Sequence, residues 1–214
     1  MSENSITRFL NSLKLFNEKA LKLTNCSFTK NVFGQKTGVK ICAERGKPVE
    51  VIRFGPDQEA IDAFVLTFRF FIQDNEKSSF RNLAKIYKKL SIPEAKKRQF
   101  SEARNALNEF LDSTPPIQFN ILGETLTNRR ILEVFIYGGL AHANPEKKRI
   151  YDQWISISPL QPLLINQFIV ILAKVLNIIL YVAKLNAEVI GELEKADHKS
   201  ESERVKLQKV IDRR

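Results

Sequence analysis

The chain has 214 residues, 43% hydrophobic and 27% charged, a balance that describes a foldable globular protein and excludes a disordered one. Eight glycines and eight prolines are few for an all-β protein built on tight turns, and two cysteines, Cys26 and Cys42, supply neither a disulfide scaffold nor a four-ligand metal site. The net charge is +10, with the surplus mostly in residues 1–54, where ten Lys/Arg face four Asp/Glu; RNA, DNA or an acidic protein would fit such a basic face.

Residues 5–23 read as an amphipathic helix, because Ile6, Phe9, Leu10, Leu13, Phe16, Ala20 and Leu23 recur at spacings of three and four. The next stretch is rich in Val, Phe and Thr and is broken by Gly34, Gly38 and Gly46-Lys47-Pro48. That pattern predicts short strands at about 26–33, 38–43 and 49–54. Gly55-Pro56-Asp57 marks a helix start, with Asp57 as N-cap of a heavily apolar helix over 57–73. Asp62 and Arg69 are its polar seam.

Ser78 or Ser79 caps a short helix, FRNLAKIYKKL. Pro93 opens another over 93–112, with Phe100, Ala103, Leu107, Phe110 and Leu111 facing the core, and Pro115-Pro116 ends it. Thr127 caps NRRILEVFIYGGL, which Gly138 and Gly139 weaken near its end. Pro145 opens a further helical turn through Trp154.

The longest element, from Leu160 to Lys195, is apolar enough to invite a membrane reading. Gln167, Lys174, Asn177, Tyr181, Lys184 and Glu188 nevertheless recur on one stripe. Phe168, Ile171, Val175, Ile178, Val182, Leu185 and Val189 alternate three and four on the other side. A lipid-facing helix has no reason to keep such a register. A central bundle helix or a dimer-forming helix over 163–195 does, and a membrane role is not expected.

The expected class is therefore mainly α: a helical bundle with a small β-containing N-terminal segment. Residues 1–54 form a helix plus short strands packed on the main domain, 55–195 the bundle, and 196–214 a charged tail, either a solvated helix or a frayed end. The N-terminus has neither a secretory nor a clear transit pattern, and isolated thiols fit a reducing, cytoplasmic setting.

No Gly-rich phosphate loop, GxGxxG, HExxH, nucleophile elbow or paired-Cys spacing occurs. With two histidines, one in the charged tail, no metal centre and no cofactor are expected. What remains is GGLAHANPEKKR, residues 138–149. His142 falls at or just past a helix C-terminus, where the dipole favours imidazolium. The glycines let another backbone or a ligand approach, Asn144-Pro145 turns the chain, and the following helix N-terminus with Lys147, Lys148 and Arg149 makes a phosphate-facing corner. An ordinary interhelical turn with a packed His142 explains the same residues.

A helix running into LAHAN within a helical bundle, followed by a long helix, resembles the HEPN superfamily. The resemblance implies a helical-bundle fold, frequent dimers, and activity as ribonucleases or RNA-binding parts of toxin–antitoxin and defence systems. Its motif is an Arg, four to six residues, then a His. His142 matches the His, while Phe135, Ile136 and Tyr137 stand where the Arg belongs. Arg129 and Arg130 precede His142 by about 18–20 Å of helix, too far to share a phosphate. In a catalytic version His142 would move a proton at the ribose, with Arg149 or Lys148 on the phosphorane charge and Tyr137, or an Arg from a second subunit, compensating.

A second basic feature is the row Arg81, Lys85 and Lys88, with Lys89 beside it and Tyr87 nearby, followed by Lys96, Lys97 and Arg98. It is either the solvated side of an amphipathic helix or a surface that tracks a nucleic-acid backbone. Three functions follow from the whole: an accessory or interaction domain that binds RNA or a partner protein without strong catalysis; a metal-independent, toxin-type ribonuclease using His142; or a purely structural helical assembly protein.

Overall fold

A computed structural model describes residues 3–24, 27–32, 35–42, 50–53, 58–72, 79–121, 123–140, 144–157 and 160–211. Side-chain surroundings are described for 6–23, 65–72, 79–121, 123–139, 144–157 and 160–196. The fold is mainly α. Helices α1 (Glu3–Thr24), α2 (Gln58–Ile72), α3 (Ser79–Lys89), α4 (Glu94–Asp112), α5 (Asn128–Glu133), α6 (Pro145–Ser156) and α7 (Gln161–Ile211) account for most of it. Strands β1 (Ser27–Val32), β2 (Gln35–Cys42) and β3 (Glu50–Arg53) form an antiparallel meander in the N-terminal segment, next to α2.

Helix α7 is the axis of the bundle. Its 51 residues span about 77 Å, and Gln161–Ala196 is long and apolar enough to cross a membrane by length and composition, with a mean hydropathy of 2.2. In the fold its apolar stripe is core: Leu164, Phe168, Ile171, Val175, Val182 and Val189 are buried. Lys174, Tyr181, Lys184 and Glu188 of the polar stripe are exposed, whereas Gln167 and Asn177 are half-buried. The helix continues without a break past residue 196, so the charged tail is helical as far as Ile211.

Two helices run antiparallel along α7. On α1, Lys14 pairs with Glu194, and Asn17 donates to the Ala183 carbonyl at 2.9 Å. On α4, Lys96 pairs with Glu188, and the Lys174 ammonium lies 4.2 Å from the centroid of Phe110. The predicted stripe of α1 is the one that is buried. Leu13, Phe16, Ala20 and Leu23 are enclosed, and the Phe16 ring meets Phe71 of α2 and Phe80 of α3 edge-on at 5.0 and 5.4 Å. Each large apolar side chain so buried contributes about 1.5–3 kcal/mol.

One small element has no counterpart among the predicted ones. Strands β4 (Asn120–Ile121) and β5 (Glu124–Thr125) pair across a turn in which Gly123 has φ 80°, a conformation glycine adopts without steric cost. Two residues per strand are too few to leave a hydropathy pattern.

Candidate nucleic-acid interface

The segment after Thr127 begins as expected. The Thr127 hydroxyl accepts from the Arg130 amide at 3.2 Å, capping α5. From Val134 to Leu140 the helix then widens into a π-helical turn. The two glycines show what the widening accommodates. A Cβ on Gly138 would stand 2.3 Å from the Lys147 carbonyl oxygen, and one on Gly139 would stand 2.6 Å from the Tyr151 ring. The space beside the glycines is therefore filled by α6 itself, by its backbone at Gly138 and by the Tyr151 ring at Gly139, and is not left for a ligand.

Asn144 caps α6 by accepting from the Lys147 amide at 3.0 Å, while its own amide donates to the Tyr137 carbonyl at 3.3 Å. Phe135, inside the turn, stacks on Phe168 of α7 at 4.9 Å and meets Tyr151 of α6 edge-on. Pro145 as the first helical residue and Asn144 before it explain why α6 starts here.

His142 lies in 141–143, outside the described residues. The structure brings together Tyr137 and Lys147 and adds Arg69 of α2, which the sequence did not connect with them. The Lys147 ammonium is 5.4 Å and the Arg69 guanidinium 5.5 Å from the Tyr137 ring centroid. Burial pushes the Tyr137 hydroxyl above its ordinary range and the Glu133 carboxylate adds to that; the charge and hydrogen bond of Arg69 oppose it. Asp62, expected to share a seam with Arg69, lies outside the described side chains.

Much of the positive charge in this corner is already matched. Lys147 holds Glu133 at 2.6 Å, Lys148 holds Asp152, Arg129 holds Asp112 at 3.0 Å and Arg130 holds Glu124 at 3.1 Å. Arg149 is exposed and makes no ion pair among the described residues, but it does not join the Tyr137 cluster. Each matched cation contributes less to an incoming anion than its formal charge implies.

Helix α3 is different. Phe80, Leu83, Ile86 and Tyr87 are buried on one side, while Arg81, Asn82, Lys85, Lys88 and Lys89 are exposed on the other. No acidic residue occurs anywhere in Ser79–Lys89. Lys85, Lys88 and Lys89 make no ion pair among the described residues. Tyr87, expected near the basic row, is instead turned into the core, where it stacks on Phe100 at 4.3 Å. Of the next basic cluster, Lys96 and Lys97 are engaged by Glu188 and Glu94, and Arg98 is exposed.

Among the described residues no three His, Cys, Asp or Glu side chains are grouped to hold a metal ion. Compared with protein-family models, curated proteins and solved structures, the chain matches none.

Proposed function

We propose that this protein is a cytoplasmic RNA-binding interaction module without strong catalysis, and that the outward face of α3 is its contact surface. The observation that carries the reading is a helix face with four cations, no acidic residue in its span and three lysines that no carboxylate engages among the described residues. Counterion release from phosphates rewards such a face, whereas paired cations elsewhere on the fold offer less. Arg81 to Lys88 covers about 10 Å along the axis, enough to meet several phosphates of a strand. The likeness to the HEPN superfamily, carried by LAHAN and the bundle, supports the same class of partner.

The test is titration of labelled single-stranded RNA with the wild type and with Lys85→Glu/Lys88→Glu, whose substituted side chains are exposed and leave the fold intact. The reading expects the variant to bind at least roughly tenfold more weakly. Equal binding by both proteins would exclude α3 as the surface, and no binding by either would favour a structural assembly protein.

Arg69 favours a second reading. The sequence lacks an Arg at the HEPN spacing, and the structure sets the Arg69 guanidinium on Tyr137, five positions before His142. A metal-independent ribonuclease would use His142 for proton transfer and Arg69 for the charge on the phosphorane. Cleavage of RNA by the wild type, lost in both His142→Ala and Arg69→Ala with folding retained, would select this reading; an inert wild type would reject it.

A further inference from the structure

Between α4 and α7 runs an open groove of about 550 Å³, lined by Glu102, Ala103 and Ala106 of α4 and by Lys174, Ile178 and Tyr181 of α7. It exists because α4 places alanines where α7 raises Ile178 and Tyr181. Tyr181 stands at its edge, 46% exposed, an aromatic ring that finds no partner ring among the described residues. The groove continues past Tyr181 to Lys184 and Glu188.

A half-exposed ring and a hollow lined by two alanines therefore share one face. Such a face is self-complementary: a two-fold axis close to Tyr181 would seat each ring in the other copy's hollow. The charges select the orientation. Lys174 and Glu188 lie seven residues to either side of Tyr181, about 10.5 Å along the axis each way. An antiparallel copy sets Lys174 against Glu188 twice, while a parallel copy sets like against like. Both groups keep capacity for this. Lys96 engages Oε2 of Glu188, leaving Oε1, and the Lys174 ammonium lies on a ring face and meets no carboxylate among the described residues.

We propose that the occupant of the α4–α7 groove is a second copy of this chain, in an antiparallel two-fold dimer centred on Tyr181. This narrows the expected dimer through 163–195 to one face and one register, and it is independent of the RNA reading.

Sedimentation velocity of the full chain over a concentration series tests it. The wild type should be a dimer, and Ala106→Arg, at an exposed position, should be a folded monomer by circular dichroism. In a Lys96→Gln background, which removes the partner of Glu188 within the chain, Lys174→Glu and Glu188→Lys should each weaken dimerisation about tenfold, and the double reversal should restore it, because the pairs re-form across the axis. A monomeric wild type overturns the proposal, as does a dimer that survives Ala106→Arg. Single reversals that weaken the dimer without rescue by the double overturn the antiparallel register.

Discussion

The Tyr87 hydroxyl donates a 2.8 Å hydrogen bond to Oδ1 of Asn186, which is fully buried on α7. Asn186 passes the connection on, donating through Nδ2 to Asn17 Oδ1 at 3.2 Å, and Asn17 donates to the Ala183 carbonyl. One polar chain thus ties α3, α7 and α1 together inside an apolar core. It also sets the rotation of α3. At 100° per residue Lys85 lies about 160° around the helix from Tyr87, so anchoring the tyrosine inward turns the lysine outward.

Tyr87→Phe keeps the ring stacked on Phe100 but leaves Asn186 Oδ1 buried without its donor. The expected loss is about 1–3 kcal/mol in urea denaturation. Asn186→Ala should cost at least as much, since it also strands the Tyr87 hydroxyl. A double-mutant cycle should give a coupling of about 1 kcal/mol, and additive losses would show that the bond does not join the helices.

Two glycine substitutions should act in opposite directions. Gly138→Ala places a methyl 2.3 Å from a backbone oxygen of α6, which no rotamer change relieves. A loss of about 2–4 kcal/mol is expected, as α6 must move off the π-helical turn. Gly191→Ala, in a helix with nothing within 4 Å of the new atom, should gain about 0.5–1 kcal/mol. Thermal melts of both variants against the wild type check the pair; equal behaviour would contradict the tight α6 crossing.

Stability should fall in alkali. Burial holds the Tyr87 and Tyr151 hydroxyls above their ordinary ionisation range, with Glu188 and Tyr181 adding to the effect at Tyr87 and Asp152 at Tyr151. A folded-state pKa above the unfolded value means that the unfolded chain loses protons first. The contribution is therefore complete below about pH 10 and declines above it, by at most about 1.4 kcal/mol per pH unit for each tyrosine. Urea midpoints across this range, with phenolate absorbance as a second readout, should show a smaller alkaline decline in Tyr87→Phe.

Much of the helical frame was legible in the residues. The stripes of α1 and α7 emerge on the predicted faces because three-four spacing reports which side of a helix is apolar, whatever covers it. Caps at Thr127 and Asn144-Pro145 are equally local signals. What the sequence withheld depends on neighbours. Gly138 and Gly139 read equally as an opening for a ligand and as a seat for a helix, and only the position of α6 decides for the helix. Tyr87 stood near a row that could track a nucleic-acid backbone, but a residue four after Leu83 and three before Leu90 belongs to their face. Arg69 reaches Tyr137 from α2, and no spacing within one helix encodes that meeting. The basic row of α3 was visible, yet that Lys85, Lys88 and Lys89 meet no carboxylate among the described residues required the ion pairs of the rest of the fold.

Contact between the outward face of α3 and RNA phosphates is tested most directly by the dependence of binding on salt. If Lys85, Lys88 and Lys89 each displace a counterion from a single strand, log K should fall against log salt with a slope of about −2 from these three lysines. In Lys85→Ala/Lys88→Ala/Lys89→Ala the slope should become shallower by about 2, with weaker binding at every salt concentration. An unchanged slope in the triple variant, or a wild type that does not bind RNA at low salt, would contradict the account.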